Sequence, residues 1–445
     1  MADETKIHPP KGMRDWAPKE VQLRQHLMES IAASYRLYGF SPIDTPAVEN
    51  IEVLLGKGGG ENEKLLFKIL KRGEELERAQ GGDWADMGLR FDLTVPLARY
   101  VANHLNDLPK VFRCYHLAPV WRADRPQKGR FREFYQCDID IVGAPSSAYE
   151  VEVLTASERA LNSLGIGRVR LRLSDKRLLP MVLSSLGVPG NQTGSVGAAL
   201  DKIDKKGVAD VLKEIEGLLV NPALFQKVRD WVTEMRNGAG ARRVPSEFLQ
   251  ALGSKAEGLK AVLDNLEAIV ETCRQINPET SVEFDPLLVR GMDYYTGPVF
   301  EAGLEGVSFS VGGGGRYDGL IGLFAGKPIP AVGFSIGFER ILSVLMEREG
   351  TLSFGAHKVF LANWGQGDGE TQRLAEDLRQ KGVPVEASYL KEGLGPQMKA
   401  AEASGAIYAI KGWDSERQIL SIRRLSDRQD GEMTVEQLKN TLESV

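Results

Sequence analysis

Residues 111–143 read VFRCYHLAPVWRADRPQKGRFREFYQCDIDIVG. Two runs rich in aromatic and β-branched residues flank the basic segment RPQKGR, a pattern that predicts a long antiparallel hairpin. On the second run Phe134, Gln136, Asp138 and Asp140 fall on one face at period two. That face is not simply hydrophobic, and polar groups in an otherwise apolar strand need partners or a ligand. Arg122, Arg125, Lys128, Arg130 and Arg132 crowd the turn. One reading is a solvated charged turn. The other is a clamp for a polyphosphate, because guanidinium forks match phosphate oxygens. Phe134 could stack on a base or pack as plain core.

A second β-rich region lies further on. PVFEAGL and VSFSV, joined by Glu305-Gly306, predict a hairpin whose second strand is Val307–Val311. The run Gly312–Gly315 follows it. A phosphate-cradling loop is excluded, since no Lys-Ser/Thr ends the run and no helix opens in the required pattern. A linker is excluded too, because strand residues lead in and Arg316-Tyr317-Asp318 lead out. Four bare positions cost folding entropy, so close approach to the backbone is their expected use. Upstream, Arg290 and Asp293 precede Tyr294 and Tyr295. Downstream, AVGFSIGFERILSVLME predicts a strand feeding a helix. Arg340 then falls in the first turn, where a cation opposes the helix dipole unless an anion is near.

The rest of the chain supplies context. A helix is expected from about residue 18 to Gly39, and SPIDTPAVEN as a proline-punctuated strand. LRFDLTVPLARYVANHL should pass from strand to helix near Pro96. Residues 176–277 read mainly as helix, and from 356 onward strands and helices alternate as in a small α/β domain. At 445 residues, two or three domains are expected. A net charge of −5 argues against bulk nucleic-acid binding while leaving room for a local basic face. Three cysteines without a CxxC pair fit neither a zinc site nor a disulfide framework. With no signal-like segment and no long apolar run, a cytoplasmic protein without a membrane span is expected.

Taken in order, four segments resemble the class II aminoacyl-tRNA synthetases, and specifically the histidyl-tRNA synthetase family. They are the Arg122-to-Gln136 hairpin, RGMDYYTGPVFE, GGGGRYDGL and GFSIGFERI. LRFDLTVPLARY, FYQCDIDIVG, SDKRLL and LDKIDK agree with it. The resemblance implies an α+β fold: an antiparallel catalytic sheet with flanking helices and a helical insertion, plus a C-terminal α/β anticodon-binding domain. It divides the chain into catalytic residues 1–172 and 279–348, an insertion at 173–278 and an anticodon-binding domain at 356–445. It implies ATP-dependent activation of L-histidine and transfer to tRNA(His), Mg²⁺ accompanying ATP, no protein-bound metal site, and a homodimer.

Residue by residue, the resemblance gives Asp92, Thr94 and Gln136 to the histidine ammonium. Asp140 and Tyr295 would read the imidazole, with Tyr294 lining the same pocket. Arg122 would hold the α-phosphate and the histidine carboxylate, and Phe134 would stack on adenine. Arg340 and Arg130 would hold the terminal phosphates. Arg290 would sit against the α-phosphate, a catalytic place shared with Arg122. Gly312, Gly313, Gly314 and Gly315 would form active-site wall. A rival within the same fold is a regulatory subunit of ATP phosphoribosyltransferase. The full arginine set and the added C-terminal domain count against it.

Overall fold

The alternation in residues 111–143 becomes two ten-residue strands, paired antiparallel from Phe112 opposite Val142 to Trp121 opposite Glu133. The computed structural model describes residues 7–56, 61–79, 81, 84–126, 129–143, 145–236, 258–289, 294–307, 309–347 and 358–443. Its strands, in chain order, are Ser41–Pro42 (β1), Val48–Asn50 (β2), Phe67–Leu70 (β3), Ala85–Leu89 (β4), Phe112–Trp121 (β5), Glu133–Val142 (β6), Val169–Asp175 (β7), Val282–Phe284 (β8), Pro298–Leu304 (β9), Gly312–Arg316 (β10) and Ala331–Gly337 (β11). Five more lie near the C-terminus: Val359–Leu361 (β12), Val385–Ala387 (β13), Tyr408–Asp414 (β14), Ile419–Arg424 (β15) and Asp430–Thr434 (β16). The fold is α+β.

The contacts of the chain divide it into two compact units, residues 1–15 with 27–349 and residues 16–26 with 350–445. In the first, eight strands run in the order β1-β5-β6-β11-β10-β9-β7-β8. All neighbours are antiparallel except β1 with β5 and β7 with β8. Only antiparallel neighbours can be joined by short turns, which is why so much of the sheet is legible as hairpins. A side sheet, β2-β4-β3, stands apart. Helix Thr94–Asn103 packs over the large sheet through Val95, Leu97, Ala98 and Val101, which join Phe112, Cys114 and Val142 in one core. Between β7 and β8 the described chain is helical, from Leu178–Leu186 through Leu259–Ile276. In the second unit β13-β12-β14-β15-β16 form a sheet, with helices Asp368–Gln380, Leu394–Ser404 and Val435–Glu443.

Three expectations change. SPIDTPAVEN yields only two short strands in different sheets, β1 and β2. Prolines remove ladder donors, and Pro42 survives because β1 is an edge strand. The strand Asp430–Thr434 was not anticipated; its sequence DGEMT has little β character, and it forms by pairing with β15. The third change concerns the glycine run. Of the expected strand Val307–Val311, Ser308 lies outside the described residues and the other four are not strand; the strand is Gly312–Arg316, paired to β9 on one side and β11 on the other. Pairing on both edges overrides the poor strand propensity of glycine.

Candidate active site

Where β6, β10 and β11 lie side by side, the sheet floors a cavity of about 390 Å³. Asp92, Thr94, Arg122, Arg130, Phe134, Gln136, Asp138, Asp140, Tyr294, Tyr295 and Arg340 all line it, as do Gly312, Gly313 and Gly314. Gly315 is not in the lining. Arg290 lies outside the described residues.

The cavity has an acidic end. Asp92, only 1% exposed, ends the loop before helix Thr94–Asn103, and its Oδ1 accepts the Val95 N–H at 3.1 Å. Its Oδ2 has no hydrogen-bond partner among the described residues. Burial raises its carboxyl to about 6, although the Val95 N–H and the Arg122 charge pull the other way. Asp138 and Asp140 follow at alternate positions of β6, and both are buried. Burial, with some repulsion from Asp92, raises Asp138 to about 7. Asp140 is raised by burial and by Asp138, while the donated hydroxyl of Tyr317 opposes the shift. Gly333 lies beside Asp140 on β11, and a Cβ there would fall 1.9 Å from Asp140 Oδ1. The missing side chain gives the carboxylate its place.

Aromatic rings close this end. Tyr294 stacks edge-on against Tyr295 at 4.9 Å and against Tyr317 at 6.0 Å. Tyr294 also bonds Thr94, and burial pushes its hydroxyl well above the usual value. The cavity is also lined by cations, and the Arg122 charge reaches the Asp92 and Asp138 carboxyls. Arg122 donates Nε–H to Phe91 O at 2.9 Å and Nη2–H to Gln136 Oε1 at 3.2 Å, with its guanidinium 5.0 Å from the Phe134 ring. Arg340 donates Nη1–H to Ser310 O at 2.7 Å, a contact that draws it from the first turn of helix Phe338–Glu347 toward the cavity. Arg130 is half-exposed and lies 3.9 Å from Asp124. The carboxyl groups therefore suit a cation and hydrogen-bond donors, and the guanidinium groups suit anions.

The glycines serve packing as much as space. A Cβ on Gly314 would lie 2.0 Å from Gly333 O, and one on Gly315 would lie 2.6 Å from Pro298 O and 2.9 Å from the Tyr295 ring. On Gly312 it would meet the Phe334 ring at 2.8 Å. Beyond forming cavity wall, Gly314 and Gly315 are thus held bare by neighbouring backbone and Gly312 by the Phe334 ring. Several lining residues escape sequence reasoning. Tyr317, Ser335, Glu301 and Glu339 reach the site only through strand pairing and helix placement. Asp138 was visible in the alternation of β6 but had no role.

Comparisons with known proteins decide between a synthetase and other users of such a cavity. The family model described as Histidyl-tRNA synthetase matches residues 12–341, and that described as Anticodon binding domain matches residues 358–444. The chain belongs to the histidyl-tRNA synthetase family. It is 38% identical to a histidine--tRNA ligase of Leifsonia xyli over 95% of this chain and 99% of that one. A crystal structure of histidyl-tRNA synthetase from Nostoc superposes with a TM-score of 0.81 at 30% identity, covering 98% of this chain and 99% of that one. A Bacillus halodurans structure titled ATP phosphoribosyltransferase regulatory subunit/histidyl-tRNA synthetase shares the fold at 21% identity and a TM-score of 0.72, covering 89% of this chain and 97% of that one. As a histidyl-tRNA synthetase family member the chain is an aminoacyl-tRNA synthetase, a histidine--tRNA ligase that uses ATP, histidine and tRNA.

Proposed function

We propose that the acidic end of the cavity holds histidine and its guanidinium groups hold ATP, so that adenylate forms between them. The observation that carries this reading is that one cavity is lined both by the buried carboxyls of Asp92 and Asp140 and by the guanidinium groups of Arg122 and Arg340. Asp92, with Thr94 and Gln136, takes the ammonium; the unpartnered Asp92 Oδ2 is an acceptor in search of a donor. Asp140, steadied by Tyr317, reads the imidazole with Tyr295, and Tyr294 closes the pocket. A site built on placed hydrogen bonds rejects analogues lacking the nitrogens. Phe134 stacks on adenine. Arg340 and Arg130 hold the terminal phosphates.

The chemistry follows from charge. The histidine carboxylate is already ionised at neutral pH, so its attack needs no general base. Its oxygen bonds to the α-phosphorus as the bond to the β-phosphate oxygen breaks, and pyrophosphate leaves. The barrier lies in alignment and in bringing two anions together. Arg122, with Arg290 from the family resemblance, offsets that charge. The terminal ribose hydroxyl of tRNA then attacks the adenylate carbonyl and AMP leaves.

Mg²⁺ would accompany the triphosphate. It favours oxygen ligands, and the carboxylates of Glu301 and Glu339 line the cavity, Glu339 fixed by the Tyr135 N–H at 2.8 Å. Glu301 already pairs with Arg172, so Glu339 is the carboxylate that would offer the ion an oxygen, while the ion itself would be held mainly by the triphosphate and neutralise its oxygens. We further assign catalytic residues 1–172 and 279–348, an insertion at 173–278 and an anticodon-binding domain at 356–445, in a cytoplasmic homodimer. Among the described residues no helix is long and apolar enough to cross a membrane.

Histidine-dependent exchange of pyrophosphate into ATP tests the reading. Exchange that requires histidine and Mg²⁺ is expected. A folded, magnesium-supplied protein showing none would favour a regulatory subunit.

A further inference from the structure

Asp138 stands between Gln136 and Asp140 on β6 and lines the same cavity, yet the roles above leave it unused. It is 3% exposed. Gln136 directs its amide nitrogen at this carboxylate, Nε2 lying 3.3 Å from Oδ1 and 3.2 Å from Oδ2. The same Nε2 lies 3.1 Å from Ser335 Oγ, on the β11 residue paired with Asp138, and the Ser335 hydroxyl bonds Asp138 in turn. On the other side of the amide, Gln136 Oε1 accepts from Arg122 Nη2. Donor and acceptor sides of the amide therefore have different surroundings.

The difference matters for a cationic ligand. An ammonium group is donor-only and needs acceptors. With Nε2 tied to a carboxylate, Gln136 has only its oxygen left to offer a ligand, and that oxygen, which accepts from Arg122 Nη2, keeps a second lone pair for a cationic donor. A flipped amide would set Oε1 against the Asp138 carboxylate and present hydrogens to the ammonium, repulsive at both ends. We propose that Asp138 is a positioning residue that fixes the Gln136 amide with its oxygen toward the substrate ammonium, acting through Gln136 with Ser335 as brace. Asp138 thereby sets the affinity for histidine rather than for ATP. The inference rests on the cavity being the histidine site.

The test uses the full-length protein in pyrophosphate exchange, with histidine and ATP varied separately. Wild-type protein must first show histidine-dependent exchange; if it does not, the site reading fails and Asp138 is not at issue. Given that, Asp138→Ala is expected to raise the histidine KM roughly tenfold, the scale of one charge-assisted hydrogen bond. The ATP KM should stay within about twofold. Asp138→Asn, which keeps one acceptor, should recover part of the loss. In a Gln136→Ala background Asp138→Asn should have little further effect on the histidine KM, since its route is already cut. A histidine KM unchanged in folded Asp138→Ala would overturn the proposal. So would equal rises in both KM values, or additive effects in the double variant. If Asp138→Ala does not fold, the Asp138→Asn and Gln136→Ala pair decides alone.

Discussion

Strands β6 and β10 border the same cavity in opposite ways. β6 sends alternate side chains into it, Gln136, Asp138 and Asp140, each held by a named partner. β10 sends none: Gly312, Gly313 and Gly314 offer backbone alone. Chemistry resides on one strand and room on the other. A change in β6 should alter what binds while leaving the sheet standing. A change in β10 should disturb the sheet before it alters binding.

The harshest way to break this contrast is Gly314→Val. Its Cβ would overlap Gly333 O, a backbone atom that cannot rotate away. Loss of soluble folded protein, or a fall in Tm of well over 10 °C, is expected, since overpacking against backbone costs several kcal/mol at least. Thermal melting checks it; a variant that melts like wild type but fails to bind histidine would restore the simpler picture of a blocked cavity.

Asp92→Asn should leave the sheet intact and act on the substrate. With a buried charge partner of the ammonium removed, the histidine KM should rise about a hundredfold, on the scale of about 3 kcal/mol for a charged hydrogen bond. The pH profile carries the sign. Asp92 sits at about 6 in the folded protein, so kcat/KM for histidine should fall as pH drops through 6 and the acceptor is protonated. The Asn variant should lose that part of the profile, leaving only the titration of the histidine substrate. Steady-state exchange kinetics across pH 5 to 8 would show it.

A further expected effect concerns stability, and it runs opposite to function. Asp138 binds its proton more tightly folded, at about 7, than an ordinary carboxyl at 3.8. Its contribution to stability is fully present below pH 4 and is lost as pH rises through 7. Asp138→Asn removes that penalty, so without ligand it should raise Tm more at pH 8 than at pH 5. At most about 4 kcal/mol is at stake, from the linkage of roughly 1.4 kcal/mol per pKa unit. An equal change in Tm at both pH values would mean that Asp138 is not held in the unfavourable charged state.

How much of this was legible in sequence follows from how local each signal is. The β5–β6 hairpin was, because alternation and a polar turn are properties of neighbours, and the polar set Gln136, Asp138 and Asp140 on its inner face came with it. The glycine strand was misplaced by about five residues. VSFSV carries the stronger local pattern, whereas GGGG pairs only because β9 and β11, distant in the chain or beyond a turn, present matching backbone on both sides. Tyr317 at Asp140 and Ser335 at Asp138 were invisible for the same reason: their roles depend on register across separate strands.

The glycine strand also decides which way the pocket can be reshaped. Every substitution in Gly312–Gly315 adds atoms, and none can take any away. A version of this scaffold that accepts a bulkier amino acid therefore cannot gain its space from β10. Any enlargement has to come from trimming Tyr294, Tyr295 or Tyr317, or from shortening the carboxylates of β6, which are the groups that discriminate. On this wall, broader substrate range and retained selectivity compete for the same few side chains.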